Sequence, residues 1–207
     1  MSKQRIAILG DGGWGTTLAI LLSKKGYSVT LWGAFIDYTK MMIKTRYNPR
    51  FLPGIKIPRQ IKITNDIKSV IKDKEIIVLA IPSQYTRRTL KKIAGNFAKK
   101  TIFLSVTKGI EISSSKRMSE VIRAELGPVK LAVLSGPTIA SEVAKGVPTT
   151  AVVASADKQI RKAIQVIFST KRFRVYTNPD VVGVELGGSL KNVIAIACGV
   201  SDGLGFG

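Results

Sequence analysis

Short β-branched runs alternate with stretches of helical period along most of this chain, and that alternation leaves few architectures open. The runs fall at 5–9, 28–32, 61–64, 75–81, 101–106 and 130–134, and the spacing predicts helices over 14–26, 36–46, 66–73, 84–98, 115–126 and 138–145. Alternation of this kind builds a parallel sheet joined by crossover helices. Residues 76–81 are apolar on both faces, as a strand must be when helices cover both sides of the sheet. Two more strands, 149–155 and 173–177, flank a predicted helix over 157–169. The fold class is α/β, a doubly wound, mostly parallel sheet.

Two segments depart from the pattern. Residues 46–58 hold Pro49, Pro53, Gly54 and Pro58, so no regular structure is expected there. At Asn178-Pro-Asp180 a new helix begins with Asp180 as its N-cap, and its Gly, Ala, Val and Ile content suggests a buried helix that opens a second domain. The expected organisation is residues 1–179 as a sheet domain and 180–207 as the first helix of an incomplete helical domain. An apolar helix needs partners, so the chain reads as the N-terminal part of a longer protein, or as one whose core another chain completes.

Composition narrows the chemistry. There is no histidine, which removes imidazole bases, Ser-His-Asp and Cys-His arrangements and ordinary His-containing zinc sites. Lone Cys198 removes an intrachain disulfide and cysteine-rich metal sites, so no metal site is expected. Proton transfer must fall to lysine, carboxylate, tyrosine or water. No uninterrupted apolar run of ~18–20 residues and no targeting segment is evident, which points to a cytoplasmic chain without a membrane span. The formal charge is +20, concentrated in the first half, where residues 38–65 and 76–110 contain no acid. That field suits phosphates, or it is a solvated lysine-rich surface.

Gly10-Asp-Gly-Gly-Trp-Gly15 follows a predicted strand and opens a predicted helix, the context in which G-x-G-x-x-G binds a dinucleotide in a Rossmann-like fold. Gly10 and Gly12 let the backbone turn and approach a pyrophosphate, Gly15 permits close helix packing, and the free N–H groups of the helix start face the anion. Trp14 either walls the phosphate pocket or packs in the core. The carboxylate expected about 20 residues on is missing. The second strand runs out through Gly33, Ala34 and Phe35, and Asp37 falls late enough to be a helix cap. Ala34 and Phe35 are assigned to the adenosine end, where Phe35 can stack on adenine. The choice between NAD and NADP stays open, with Arg46 and Arg50 as remote candidates for a 2′-phosphate. Pro82 ends a strand on the nucleotide side of the sheet, as a crevice edge or a plain terminator.

Lys108 should project into the same crevice, unless it is one surface lysine among many. Gly136 and Thr138 stand at a strand-to-helix corner where backbone N–H groups can hold a phosphate or cap the helix. Lys191 is a lone cation in an apolar helix, with Gly187 and Ala195 four residues away on either side. Burial there would ready its amine for proton transfer near neutrality; the alternative is a lysine snorkelling at a domain edge.

Taken together, residues 10–15, 48–54, 80–83, 107–111, 134–143, 174–180 and 183–192 resemble, in order and spacing, bacterial-type NAD(P)-dependent glycerol-3-phosphate dehydrogenase. The resemblance runs the length of the chain and implies interconversion of dihydroxyacetone phosphate and sn-glycerol 3-phosphate for glycerophospholipid synthesis. It implies that Gly13 and Trp14 touch the cofactor with Phe51 and Ala140 nearby. Lys108 would contact cofactor and substrate, and Gly136 and Thr138 the substrate. Lys191 would be the proton donor or acceptor, with Asn192 beside it orienting the reacting oxygen. It further implies a small phosphorylated substrate, no nucleic acid, and a homodimer built through the helical substrate-binding domain.

The chain has Gly33-Ala34 where many family members carry a basic residue, so an NADP preference does not transfer. The family also continues beyond Gly207 into helices that supply a substrate-binding arginine and an active-site aspartate. The expectation is therefore that the 207-residue chain binds dinucleotide but turns over poorly. Competing readings are another Rossmann dehydrogenase with a helical second domain, such as a hydroxyacid or ketopantoate type, a non-catalytic dinucleotide-binding fragment, and a basic nucleic-acid module. The last lacks basic residues interleaved with exposed aromatics.

Overall fold

The computed structural model describes residues 4–206. In chain order its elements are β1 (Arg5–Leu9), α1 (Gly13–Lys24), β2 (Ser28–Trp32), α2 (Ile36–Thr45), β3 (Tyr47–Asn48), β4 (Leu52–Lys56), β5 (Lys62–Thr64), α3 (Ile67–Ile71), β6 (Ile76–Leu79), α4 (Ser83–Lys91), β7 (Ile102–Ser105), α5 (Met118–Leu126), β8 (Lys130–Ser135), α6 (Ala140–Lys145), β9 (Thr149–Ala154), α7 (Lys158–Phe168), β10 (Phe173–Asn178) and α8 (Val181–Gly203).

The main sheet has eight strands in the order β10-β9-β8-β7-β6-β1-β2-β5. Alternate residues of β1 enter opposite layers: Ile6 and Ile8 pack with Leu18, Leu22 and Leu31, while Ala7 and Leu9 pack with Ile77, Leu79 and Phe103. This two-sided burial is why the strands read as continuous apolar runs. From β1 the chain moves out through β2 to β5, then returns to lay β6 on the other side of β1. The reversal makes a crevice beyond the carboxyl ends of β1 and β6, the place where open α/β sheets hold ligands.

β8 and β9 pair antiparallel, Ser135 opposite Val152 and Val133 opposite Ala154, while β9 and β10 run parallel to each other. Residues 46–58 are more regular than their prolines suggested. β3 and β4 form an antiparallel ribbon with Tyr47 opposite Lys56 and Asn48 opposite Leu52. Each strand of a two-stranded ribbon keeps a free edge, so Pro53 costs no ladder bond.

Helix α8 starts where expected, with the Asp180 carboxylate accepting from the Gly183 N–H at 2.8 Å. It is not buried. Glu185 alone among its residues is, and Val193, Ile194, Ile196 and Val200 stand open to solvent. By length and composition it is apolar enough to cross a membrane; the expectation of no such stretch rested on uninterrupted apolar runs, which Glu185, Lys191 and Asp202 break. Its polar residues tie it to the sheet domain. Glu185 accepts from Arg117 Nη1 (2.7 Å), the Ser119 N–H (2.7 Å) and Ser119 Oγ (2.6 Å), and Ser189 Oγ accepts from the Gly109 N–H at 3.1 Å.

Candidate functional site: a cleft at the sheet crossover

A cleft of about 800 Å³ opens at the crossover, lined by the turn after β1, the end of β2, the loops after β3, β6, β7 and β8, and one face of α4. Gly10 holds φ +117°, and a Cβ there would lie 2.3 Å from the Ala80 carbonyl oxygen. A side chain on Gly15 would meet the Gly10 oxygen at 2.0 Å, so α1 can approach β1 only without one. Gly12, by contrast, has nothing within 4 Å of its missing Cβ. It is the N-cap of α1 and offers no side-chain cap, and no acid occupies the first turn. The helix start therefore presents N–H groups and the positive end of its dipole to the cleft.

Buried Asn48 clamps this turn. Its Nδ2 donates to the Asp11 backbone carbonyl oxygen (2.7 Å) and Thr16 Oγ1 (2.8 Å), and its Oδ1 accepts from Tyr38 Oη (2.6 Å) and the Phe51 N–H (3.2 Å). The amide is fully used, which fixes the ribbon against the glycine turn and brings Phe51 to the cleft wall. Asn48 stands within the 48–54 segment, where the sequence alone assigns it no role. The available signal was an Asn-Pro pair inside an otherwise irregular segment.

The structure brings Gly10, Gly12, Gly13, Trp14, Ala34, Phe35, Phe51, Pro82, Lys108, Thr138 and Ala140 to the cleft lining. Gly15 lies behind them as a packing residue. Trp14 does both things proposed for it, lining the cleft and packing its ring 6.1 Å from that of Phe173. Asp11, Trp32, Tyr85, Arg88 and Lys92 also line it, and none was singled out from sequence. Arg46 turns away to donate to the oxygens of Pro58 and Ile61, and Arg50 sits over the Phe51 ring; neither lines the cleft.

The far end is organised by the loop after β7. Thr107 Oγ1 donates to the Leu79 and Ile81 oxygens at 3.1 and 2.8 Å, and Gly109, at φ +127°, leaves room for Ser83. Lys108 Nζ then donates to the Gly136 oxygen at 3.1 Å. Burial first, and the neighbouring Lys191 ammonium second, push the Lys108 amine below the ordinary lysine range. Lys191 does not line the cleft and is partly exposed, not the buried lysine expected from sequence; Asn192 is exposed and also lies off the lining. A Cβ on Gly188 would strike Ser135 Oγ at 2.2 Å, so α8 reaches this corner only because a glycine faces β8. Behind the loop, buried Glu111 is bonded by Arg87 and then Ser114, which hold its carboxyl down at about 2.

The site fits a dinucleotide. It has an uncapped helix start for the pyrophosphate, a glycine open to its approach, aromatic walls, and a buried carboxylate oxygen, Asp11 Oδ2, that has no partner.

Comparison with known proteins agrees. Residues 5–161 match the family model for the N-terminus of NAD-dependent glycerol-3-phosphate dehydrogenase, and residues 180–207 match the model for its C-terminus. A glycerol-3-phosphate dehydrogenase (NAD(P)+) from Prosthecochloris aestuarii is 47% identical over 205 residues, covering 98% of this chain and 62% of that protein. One from Syntrophomonas wolfei is 46% identical over 206 residues, covering 98% and 60%. The crystal structure of glycerol-3-phosphate dehydrogenase from Coxiella burnetii superposes with a TM-score of 0.93 at 40% identity, covering 100% of this chain and 63% of that one. The chain thus spans a little over three fifths of the length of these relatives.

Proposed function

The chain belongs to the NAD-dependent glycerol-3-phosphate dehydrogenase family, and from that premise we propose that it serves the NAD(P)-linked interconversion of dihydroxyacetone phosphate and sn-glycerol 3-phosphate, a cytoplasmic step supplying glycerophospholipid synthesis. The nicotinamide ring, when bound, supplies or takes the hydride at the substrate's central carbon. Lys191 holds the proton that goes to the carbonyl oxygen as that oxygen gains charge, and takes it back in the reverse direction. Lys108 is steered by its bond to Gly136 and adds positive potential at the developing oxyanion. Gly136 and Thr138 offer the corner after β8 to the phosphate, and Asn192 orients the reacting oxygen beside Lys191. Residues 1–179 bind the dinucleotide, and 180–207 open a helical domain through which the protein forms a homodimer.

The observation that carries this reading is Lys108, after β7, a partly buried cation in the cleft lining whose Nζ is held on the Gly136 oxygen at the corner after β8. A cation held in a cleft is relieved by an anion, and a small phosphate ester brings one together with a carbonyl. The test uses the protein expressed from its complete reading frame. Oxidation of NADH or NADPH should depend on dihydroxyacetone phosphate, and Lys191→Ala should lower kcat by about 10²–10⁴-fold with cofactor affinity unchanged. Unchanged turnover in the variant removes Lys191 from the chemistry.

A further inference from the structure

The end of β2 poses a problem that the residues there do not solve. In this fold an acid at that point bonds the adenosine ribose, and here the strand ends Trp32-Gly33-Ala34. The structure shows what fills the space instead. A Cβ on Gly33 would lie 2.4 Å from Asp11 Oδ2 and 2.6 Å from Thr39 Oγ1. The Asp11 carboxylate has come up from the glycine turn into the volume that a side chain at the end of β2 would occupy. Asp11 is 9% exposed and lines the cleft, and its Oδ2 and the Thr39 hydroxyl are both buried without a partner.

We propose that Asp11 is the ribose-recognition carboxylate of this chain, delivered from the glycine turn in place of the missing acid, and that it selects NAD(H) over NADP(H). This rests on the dinucleotide reading of the cleft and adds to it a choice of cofactor. An unpartnered buried carboxylate oxygen is costly unless a donor arrives. Oδ2 is enclosed against Gly33 and Thr39, so the carboxylate must turn toward the cleft to meet a ligand; a ribose 2′-hydroxyl is then the donor it lacks, whereas a 2′-phosphate offers only negative charge and acceptor oxygens. Gly33 is what makes the arrangement possible, since any larger residue would collide with the carboxylate. Burial also pushes the Asp11 carboxyl above the usual aspartate range, the state expected of an acid whose donor is still to come. The opposing feature is Arg88 on α4 and Lys92 at its C-cap, both on the cleft wall. Both are exposed, while the carboxylate is enclosed, where charge is less screened and acts more strongly.

The experiment titrates NADH and NADPH separately into the 207-residue chain, into Asp11→Asn and Asp11→Ala, and into Arg88→Ala, and records the thermal midpoint of each without cofactor. The wild-type chain should bind NADH at least ~10-fold more tightly than NADPH, a carboxylate's worth of discrimination. Asp11→Ala should bring the two affinities within about 3-fold of each other, NADH weakening and NADPH tightening. Asp11→Asn, which keeps an acceptor and loses the charge, should gain NADPH binding while losing less NADH binding. The midpoint of both variants should hold or rise, because an orphaned buried charge has been removed. An unchanged affinity ratio in both Asp11 variants overturns the proposal. So does a lowered midpoint with the ratio intact, which makes Asp11 structural, or a wild-type preference for NADPH that Arg88→Ala abolishes. If the wild-type chain binds neither nucleotide, the dinucleotide reading falls as well.

Discussion

At the glycine turn, the cleft is built on strands packed on both faces by the rest of the chain; at α8, a 23-residue helix rests on the same sheet through a handful of polar contacts and leaves most of its apolar surface uncovered. The first region is held by sterics. Gly10, Gly15 and Ala80 meet at distances that admit no added atom, and Asn48 uses every hydrogen bond it has. The second is held by Glu185 on Arg117 and Ser119, and by Ser189 on Gly109. Nucleotide binding should therefore be a rigid property of the sheet domain, while the position of α8, which carries Lys191, depends on an anchor that can be loosened separately.

Substitution within the glycine turn should break the first region in two distinguishable ways. Gly15→Ala drives a Cβ into the Gly10 carbonyl oxygen and should cost about 3 kcal/mol, with nucleotide binding lost as a consequence. Gly12→Val places its side chain in open space, so the thermal midpoint should hold while NADH affinity falls by about 100-fold or more, the backbone being kept from the pyrophosphate. Equal loss of stability in both variants would dissolve the distinction between packing glycine and binding glycine.

A smaller effect sharpens the second region. Glu185→Gln removes the charge that Arg117 and Ser119 hold and should weaken the anchor by about 2 kcal/mol. Amide exchange across α8 should then accelerate by about 30-fold while the strands of the sheet exchange as before. Nucleotide affinity should stay within about 2-fold of wild type, because Glu185 is not among the residues that line the cleft. Acceleration spread evenly over β1, β6 and α8 would show one cooperative unit instead of two.

What the sequence disclosed follows the same division. β1, β2, β6 and β7 lie where apolar period placed them, since burial on both faces leaves an unambiguous run of Ile, Val and Leu. The helix after β6 is shorter than its periodicity predicted, ending at Lys91, not Ala98, because its apolar stripe ends before the turn through Gly95. The ribbon of β3 and β4 was illegible, because prolines forbid central strands and a two-stranded ribbon has none. Asn48 and Asp11 were missed for a shared reason. Their importance lies in where one amide and one carboxylate point across long sequence separations, which no local spacing records. Lys191 was found from its isolation in an apolar helix, but its exposure was misjudged, because composition measures how apolar a helix is and not what covers it.

The central claim is that this cleft holds a dinucleotide with its pyrophosphate at the start of α1. Both tryptophans of the chain, Trp14 and Trp32, line it, so their emission reports on occupancy directly. Titration with NADH should quench tryptophan emission saturably while nicotinamide emission excited through tryptophan rises in step, and Gly12→Val should abolish both signals without unfolding the chain. Tryptophan emission that does not respond to NADH, or a response that survives in Gly12→Val, would contradict the account.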